Sequence, residues 1–394
     1  MDSKIRKIMF HINSLGKGGA ERVVSLLANE FVKNNVEVVI ATEWQADEEY
    51  EVDSKVKRIH AGLSEKDETA SRLAKQWIRI RNLRKVLQKE RPDVLISFCV
   101  KANYRAMMAS TGTKIPVIVS VRNDPKIDYV GKSNGIMNKL FLNRASGCVF
   151  QTQEAKEFFD EVLQKKSRII CNPVNEKYLK ADRKTPKKKI VCVGRLVAQK
   201  NQMLLVKAFE KILERYSDYH LYLYGDGSDD ECKDELLKYV GKKTIAVLEH
   251  KHKDRDTEKE NVAGEVRKLK EHIHFMGLSS TLEKDMADAA MFVLPSNYEG
   301  MPNALMEAMA LGLPVISTDC PCGGSRYWIT LGTTGQLVPV KDSEAMAKAM
   351  RFYIENPTEA EKMGRNARER LEEATLDKVF EQWNGYISEV LNWK

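Results

Sequence analysis

The sequence is short of the features that mark secreted, membrane-spanning and disordered proteins. No apolar run approaches the ~18 residues that a membrane helix needs, and the longest, such as Val94–Val100, are strand-sized. The opening MDSKIRKIMF enters a strand at once, with no separate apolar region of signal-peptide type. Seven cysteines (99, 148, 171, 192, 232, 320 and 322) form no CxxC pair, which excludes a disulfide-stapled scaffold and reads as reduced, cytosolic thiols. There is no internal repeat of short period and no low-complexity tract. With 43% hydrophobic and 30% charged residues, a disordered chain is excluded as well.

One shortage is local. Residues 71–150 hold 4 acidic residues against 16 basic ones. Residues 1–180 carry 32 Lys+Arg and 22 Asp+Glu, a balance of +10; residues 181–394 carry 32 and 34, a balance of −2. The overall +8 is therefore concentrated in the first half, which predicts that this half faces something anionic. Nucleic acid is the weaker reading, since no helix-turn-helix, zinc or RNP-type motif is present.

A length of 394 residues exceeds one hydrophobic core and predicts two domains. Short Val/Ile-rich runs alternate with helix-length stretches. Strands are predicted at Ile5–Ile12, Val36–Thr42, Val94–Cys99, Pro116–Val121, Gly147–Gln151 and Arg168–Cys171. A second series follows at Lys189–Val193, His220–Tyr224, His272–Met276, Ala290–Pro295 and Pro314–Thr318. Such runs predict an α/β architecture of two doubly wound, Rossmann-like parallel sheets facing across a cleft. The polar, basic segment Asn172–Lys189 is the predicted linker. The expected division is 1–180, 181–375, and a C-terminal amphipathic helix 376–394 that packs back on the first domain. Gly241–Glu271, rich in lysine and glutamate, reads as a solvated insertion.

Three strand-to-helix loops carry the chemistry, because ligands of such sheets bind at the carboxyl ends of strands. In Gly16-Lys17-Gly18-Gly19-Ala20-Glu21-Arg22, glycines allow close backbone approach and the next helix offers free N–H groups to an anion. It lacks the GxGxxG spacing of dinucleotide folds, and a plain tight turn is the alternative. In Gly194-Arg195-Leu196-Val197-Ala198-Gln199-Lys200-Asn201, Arg195 and Lys200 form a candidate diphosphate clamp, a fork beside a point charge; taken singly, the segment reads more simply as a solvated helix start. The third is Tyr298-Glu299-Gly300-Met301-Pro302-Asn303-Ala304-Leu305-Met306-Glu307. Here a glycine turn leads into a helix near Asn303, and Glu307 lies in an apolar helix where a carboxylate is costly unless it accepts hydrogen bonds.

These segments resemble the retaining glycosyltransferases of family 4, which have the GT-B fold and include sucrose synthase and bacterial polysaccharide transferases. The likeness rests on the GGAER loop, the G-R-x4-K segment, the E-x7-E pattern from Glu299 to Glu307, and the stretch PSNYEGMPNALMEAMALGLPVISTDCPCGG. Asn172-Pro173-Val174 and Gly225-Asp226-Gly227 fall where the family has them. The resemblance implies that Arg195 and Lys200 neutralise the nucleotide diphosphate. It implies that Glu299, with the backbone of Gly300, Met301 and Pro302, holds the donor sugar, and that N–H groups near Asn303, Ala304 and Leu305 support the diphosphate. Glu307 would bind ribose, Gly277 and Leu278 would meet the base, and Gly18 and Gly19 would approach the donor phosphate and the acceptor. The family's histidine after the strand near Ile115–Val121 is replaced here by Arg122-Asn123-Asp124, which are candidate acceptor-side residues or simply a turn.

The expectation is thus a retaining, metal-independent transferase that uses no cofactor. It would move N-acetylhexosamine or hexose from a UDP-sugar to a glycan on a polyprenyl diphosphate, in bacterial surface polysaccharide or oligosaccharide synthesis. It would work in the cytoplasm, peripherally on the inner face of the cell membrane. A sugar phosphorylase, which would require inorganic phosphate, and a non-catalytic nucleotide-sugar-binding protein are the alternatives.

Four further signals are assigned to structure rather than chemistry. Asp254-Arg255-Asp256 is a literal D-x-D inside a charged run. His250, His252, His272 and His274 make two H-x-H pairs, the second on one exposed strand face. Cys320-Pro321-Cys322 reads as loop packing. The stretch Arg72–Arg91 predicts a helix with Leu73, Trp77, Ile80 and Leu87 along one face and basic residues over the rest. It either packs on the core with a solvated basic side or lies against anionic headgroups.

Overall fold

A computed structural model describes residues 5–227, 230–246 and 266–393. The D-x-D at 254–256 and the pair His250 and His252 lie outside the described residues, as does most of the charged insertion. The chain divides into two compact units, Met1–Pro173 with Glu373–Lys394, and Val174–Glu372.

The first unit contains seven strands: β1 (Lys7–Ile12), β2 (Glu37–Thr42), β3 (Lys57–His60), β4 (Val94–Phe98), β5 (Val117–Ser120), β6 (Gly147–Phe150) and β7 (Ser167–Ile169). They form one parallel sheet in the order β3-β2-β1-β4-β5-β6-β7. Its helices are α1 (Gly19–Lys33), α2 (Arg72–Glu90), α3 (Val100–Ser110), α4 (Pro125–Asp128), α5 (Lys132–Leu140), α6 (Gln153–Glu157) and α7 (Glu161–Lys165). Central strands β4, β5 and β6 are buried at every residue, as continuous apolar runs covered on both faces should be.

The second unit begins with α8 (Glu176–Lys180), inside the segment expected to be a linker. Tyr178 of α8 is buried, and Arg183 donates to the carbonyl of Ala287 and to Glu361, so this polar stretch is tied into the second unit. Next come β8 (Lys187–Val193), α9 (Gln202–Leu213), β9 (His220–Tyr224) and α10 (Asp230–Lys242). The antiparallel pair β10 (Thr244–Ala246) and β11 (Val266–Lys268) flanks the residues left undescribed. Then follow β12 (Ile273–Gly277), α11 (Leu282–Met286), β13 (Ala289–Leu294), α12 (Asn303–Ala310), β14 (Val315–Thr318), α13 (Gly324–Trp328), β15 (Gln336–Val338), α14 (Ser343–Glu355) and α15 (Pro357–Arg370). The six-stranded parallel sheet has the order β12-β9-β8-β13-β14-β15. Ile190, Phe209, Leu223 and Val293 belong to its core. Neither β3, with its mostly exposed KRIH, nor three-residue β15 was predicted.

The chain then returns to the first unit in α16 (Leu376–Asn392). Phe380 meets Phe31 edge-on at 4.8 Å, and Trp383 stacks on Phe98 at 5.9 Å. The Tyr386 hydroxyl accepts from the Cys148 backbone N–H at 2.8 Å and donates to the Lys166 carbonyl. Gly147 permits this approach, since a Cβ there would stand 2.5 Å from that hydroxyl.

Two expectations about side-chain faces are corrected. On α2 the buried stripe is Ile80, Leu83 and Leu87, while Leu73 and Trp77 are 76% and 68% exposed. The side of α2 that meets α3 is set by Gln76, which accepts from Arg105 of α3, together with Ile80, Leu83 and Leu87; at 100° per residue Leu73 and Trp77 fall to one side of that line. His272 is buried rather than exposed, and His220 of β9 joins it and His274. His220 Nδ1 lies 3.0 Å from His274 Nε2, and the His274 ring stacks on Tyr222.

Tyr386→Phe removes the hydroxyl that bridges the Cys148 N–H and the Lys166 carbonyl and leaves these two only their 3.2 Å bond to each other, so a loss of about 0.5–1.5 kcal/mol is expected in urea unfolding. Burial first, and neighbouring histidines second, hold the His220 and His274 pKa values below 6.5. The unfolded chain therefore binds more protons below that pH, and stability falls as pH drops through it. Melting curves of the His220→Gln, His274→Gln double variant should lose part of this acid sensitivity relative to wild type; parallel curves would rule it out.

Candidate active site

In the second unit, β8 and β13 are parallel neighbours, so the loops that follow them emerge at the same sheet edge. The loop after β8 is braced from beside it: Gly194 N–H donates to the Tyr224 carbonyl at 2.9 Å and Leu196 N–H to that of Asp226 at 3.0 Å. Gly225, with φ of +130°, lets this happen, because a Cβ would fall 2.2 Å from the Gly194 carbonyl oxygen. Gln202, at the start of α9, donates to the carbonyls of both Gly194 and Arg195.

The two loops are zipped together. Asn297 N–H donates to the Gln199 carbonyl at 2.8 Å, its side-chain amide to Ala198 at 2.8 Å, and Gln199 Nε2 to the Tyr298 carbonyl at 3.1 Å. Asn201 Nδ2 donates to Asn297 Oδ1 at 3.0 Å. Within this frame Lys200 Nζ lies 2.5 Å from Glu299 Oε1, which also accepts from Ser296 Oγ at 2.6 Å. Glu299 is buried and Lys200 only partly exposed, so water screens this pair poorly. Arg195, on the same loop, is exposed.

Gly300, Met301 and Pro302 lead from Glu299 into α12. Pro302 occupies the cap position with no side-chain cap bond, so the first-turn N–H groups of Asn303, Ala304 and Leu305 point out of the helix start with its positive dipole end. Glu307, one turn further, is buried. The loop after β14 supports the turn from behind: Thr318 Oγ1 donates to the Ser296 carbonyl at 2.6 Å. Gly324 backs onto Gly300, whose carbonyl oxygen a Cβ would meet at 1.8 Å. Cys320 sits close enough to feel Glu299; burial, then that charge, push its thiol to about 12. It is therefore a packed thiol and not a nucleophile. Gly277, at φ +65°, pairs with Gly225, and Leu278 beside it is 60% exposed.

The second unit thus gathers Arg195, Lys200, Glu299, Gly300, Met301, Pro302, Asn303, Ala304, Leu305 and Glu307 around two adjacent strand ends. Gly277 and Leu278 lie one strand beyond Gly225. The pattern of cations and carboxylates located this region, but not the residues that hold it. Gln199, Asn201, Ser296, Asn297 and Gly324 fix its shape; Gln199 and Asn201 flank Lys200, Ser296 and Asn297 shortly precede Glu299, and Gly324 adjoins no expected ligand. Among the described residues, no group of three or more His, Cys, Asp or Glu is placed to hold a metal ion.

The remaining sequence candidates belong to the first unit. Gly18 caps α1 and Gly19 is its first residue, after β1; a Cβ on Gly18 would strike the Glu21 carboxylate at 2.2 Å. Arg122 follows β5. Its guanidinium lies over the Phe98 ring at 4.4 Å and donates to Asn172 Oδ1 at 3.0 Å. Burial lowers its pKa to about 10, and Nε and Nη2 have no hydrogen-bond partner among the described residues. Asn123 donates to Asp128, and buried Asp124 caps α4 through the Lys126 N–H at 2.9 Å. Asp124 thus serves a turn in this structure, whereas Arg122 keeps donors to spare.

Gly324→Ala is expected to cost about 2 kcal/mol or more, because a methyl group cannot coexist with the Gly300 carbonyl. Chemical denaturation reads this, and wild-type stability would contradict the close approach.

Residues 17–178 match the family described as Glycosyltransferase Family 4, and residues 175–370 match Glycosyl transferases group 1. The chain is 25% identical, over 98% of its length and 99% of the relative's, to a Campylobacter jejuni protein. That relative is named as a GalNAc-α-(1→4)-GalNAc-α-(1→3)-diNAcBac-PP-undecaprenol α-1,4-N-acetyl-D-galactosaminyltransferase. An uncharacterized glycosyltransferase of Methanocaldococcus jannaschii is 26% identical over 61% of this chain, which spans 58% of that relative's length. Among solved structures, Anabaena HepE in complex with UDP-glucose superposes with a TM-score of 0.75 at 16% identity, covering 98% of this chain and all of that one. Two Rossmann-like parallel sheets and matches to both halves place this chain in the family 4, group 1 glycosyltransferases of GT-B fold.

Proposed function

We propose that this glycosyltransferase moves an N-acetylhexosamine or hexose from a UDP-sugar to a glycan carried on a polyprenyl diphosphate, with retention of anomeric configuration. The observation that carries the reading is the Lys200–Glu299 pair, held by Ser296 on the turn that leads into the N-terminus of α12. A cation and a carboxylate already desolvated and already positioned are what a charged leaving group and a sugar hydroxyl require on opposite sides of one bond. UDP as the carrier is supported by the UDP-glucose named in the HepE complex, and the lipid diphosphate by the undecaprenol-linked glycan in the Campylobacter relative's name.

In this mechanism Arg195 and Lys200 neutralise the departing diphosphate, and the N–H groups of Asn303, Ala304 and Leu305 add the dipole of α12. Glu299 accepts from donor sugar hydroxyls and Glu307 from the ribose. Gly277 and Leu278 border the base. Charge on the leaving group is met by two protein cations, so no divalent ion is required. The acceptor hydroxyl attacks from the face that the diphosphate leaves, and the leaving phosphate oxygen takes its proton. Catalysis is then electrostatic stabilisation of the diphosphate as it separates. The acceptor glycan belongs to the first unit, whose surplus of basic residues suits a lipid diphosphate.

The test is transfer from a panel of UDP-sugars to lipid-extracted acceptor, with and without EDTA, followed by mass spectrometry. Transfer undiminished by EDTA and an α-linked product are expected. Arg195→Ala and Lys200→Ala should each lower kcat/KM by about a hundredfold or more; exposed Arg195 should be lost without a change in melting temperature, whereas Lys200→Ala leaves buried Glu299 unpaired and should also melt lower. Turnover that needs inorganic phosphate, or UDP binding without any product, would replace this reading.

A further inference from the structure

We propose that Trp44 is the platform on which the terminal sugar of the acceptor glycan stacks, with Gln45 and Asp47 beside it reading the sugar's hydroxyls. This rests on the reading above for a glycan acceptor and names the side chains that receive it.

Exposed apolar residues are ordinary on a protein surface; the mounting of this one singles it out. Trp44 follows β2 and is 45% exposed, while Glu43 before it is buried. The Glu43 carboxylate accepts from Arg105 of α3 and lies 3.3 Å from Arg79 Nε of α2. Its carbonyl is closed in by Gly62, where a Cβ would stand 1.7 Å from the oxygen. The N–H groups of Glu43 and Trp44 both donate to the Asn13 carbonyl, at 2.8 and 3.1 Å, and Tyr50 N–H donates to that of Leu15 at 2.8 Å. The loop 44–50 is thereby clasped at both ends to residues 13–15, which lead into the glycine loop at 16–19. Glu49 fastens it further, accepting from the N–H groups of Leu15 and Ala46 and pairing with Arg58 at 2.7 Å. Gly16 pairs with Glu49, and Lys17 Nζ lies over the Tyr50 ring at 5.0 Å. The backbone under Trp44 is thus fixed relative to the glycine loop, while its indole stays open to solvent.

A pyranose ring has a rim of hydroxyls and faces of C–H groups. The C–H face suits a flat aromatic surface, and a tryptophan side chain has few torsions to freeze on binding. The hydroxyl donors suit amide and carboxylate oxygens, and Gln45, Asp47 and Glu48 are exposed along the same loop. Charge separates this place from a phosphate site. The loop holds three acidic residues, Asp47, Glu48 and Glu49, and no basic one, in a half of the chain that is otherwise basic. A diphosphate is repelled there, and a neutral sugar is not. Because the loop is already clasped, little ordering is left to oppose binding.

The first measurement needs neither nucleotide nor turnover. Trp 5 in the composition means five indole N–H signals in the NMR spectrum of the full chain, and the one missing from Trp44→Phe identifies Trp44. Titration with the methyl α-glycosides of N-acetylgalactosamine, N-acetylglucosamine, galactose and glucose should shift that signal, and saturation transfer should mark the C–H groups of one ring face. The Gln45→Ala, Asp47→Ala double variant should bind the same glycosides about threefold or more weaker, with unchanged melting temperature. The second measurement is transfer to the lipid-extracted acceptor. Trp44→Ala should raise the acceptor KM by about tenfold or more, with the UDP-sugar KM within about twofold of wild type, and Trp44→Phe should recover most of the loss. A tryptophan that only packs would move both constants or the melting temperature. A Trp44 signal that no glycoside shifts, or an acceptor KM unaltered in Trp44→Ala, overturns the proposal. Wild-type protein that binds glycosides through Trp44 yet transfers from no UDP-sugar upholds the platform and overturns the transferase reading instead.

Discussion

The parallel pairing of β8 with β13 is the constraint on which the site depends. Strands so paired end on the same edge, so loops 99 residues apart in sequence, those of Lys200 and Glu299, are delivered to one place with the backbone already satisfied. The ion pair between them does not create that proximity. Asn297, Gln199 and Asn201 do, by spending side-chain amides on loop carbonyls and on one another. What is left for Lys200 and Glu299 is a pair held at short range in poorly screened surroundings. A pair of this kind is ready to exchange its partner for a ligand's charge, because neither residue is required to keep the loops together.

Glycines set how closely the parts approach. At Gly225 a left-handed backbone admits the neighbouring Gly194 carbonyl, at Gly324 the lack of a side chain admits that of Gly300, and at Gly147 it admits the Tyr386 hydroxyl. Each lies at a junction between separate elements of one unit. In all three cases the polar atom brought close is an oxygen, so the space that a methyl group would have taken is given to backbone or hydroxyl packing.

Much of this was legible in the sequence. Eleven strand positions followed from Val/Ile-rich runs, because buried parallel strands are apolar on both faces and announce themselves. The KRIH strand was not, since an edge strand with exposed side chains has no such pattern, and three-residue β15 is too short to carry one. The loops bearing Arg195, Lys200, Glu299 and Glu307 stood out because charge at a strand end is unusual. Their spacing showed that they belong to one family pattern, but not that Lys200 would be bonded to Glu299. Cover was the least readable quantity: Leu73 lies near the helical line of Ile80 and Leu87, yet the line that meets α3 runs through Gln76, Ile80, Leu83 and Leu87, and no local pattern says which of two nearby lines a neighbour will cover. His220 likewise joined His272 and His274 through strand order, which no local pattern encodes.

The return of α16 to the first unit imposes an order on the chain's manufacture. Phe31 and Phe98 are synthesised early, but the helix that covers them emerges only after all of Val174–Glu372. At ordinary elongation rates that interval lasts roughly ten to forty seconds. For its duration the first sheet is complete in its strands while one aromatic face remains open, so the nascent protein carries its own sticky intermediate. The second unit, by contrast, is continuous in sequence and closes as soon as it has left the ribosome. The half of the molecule made first is therefore the half finished last.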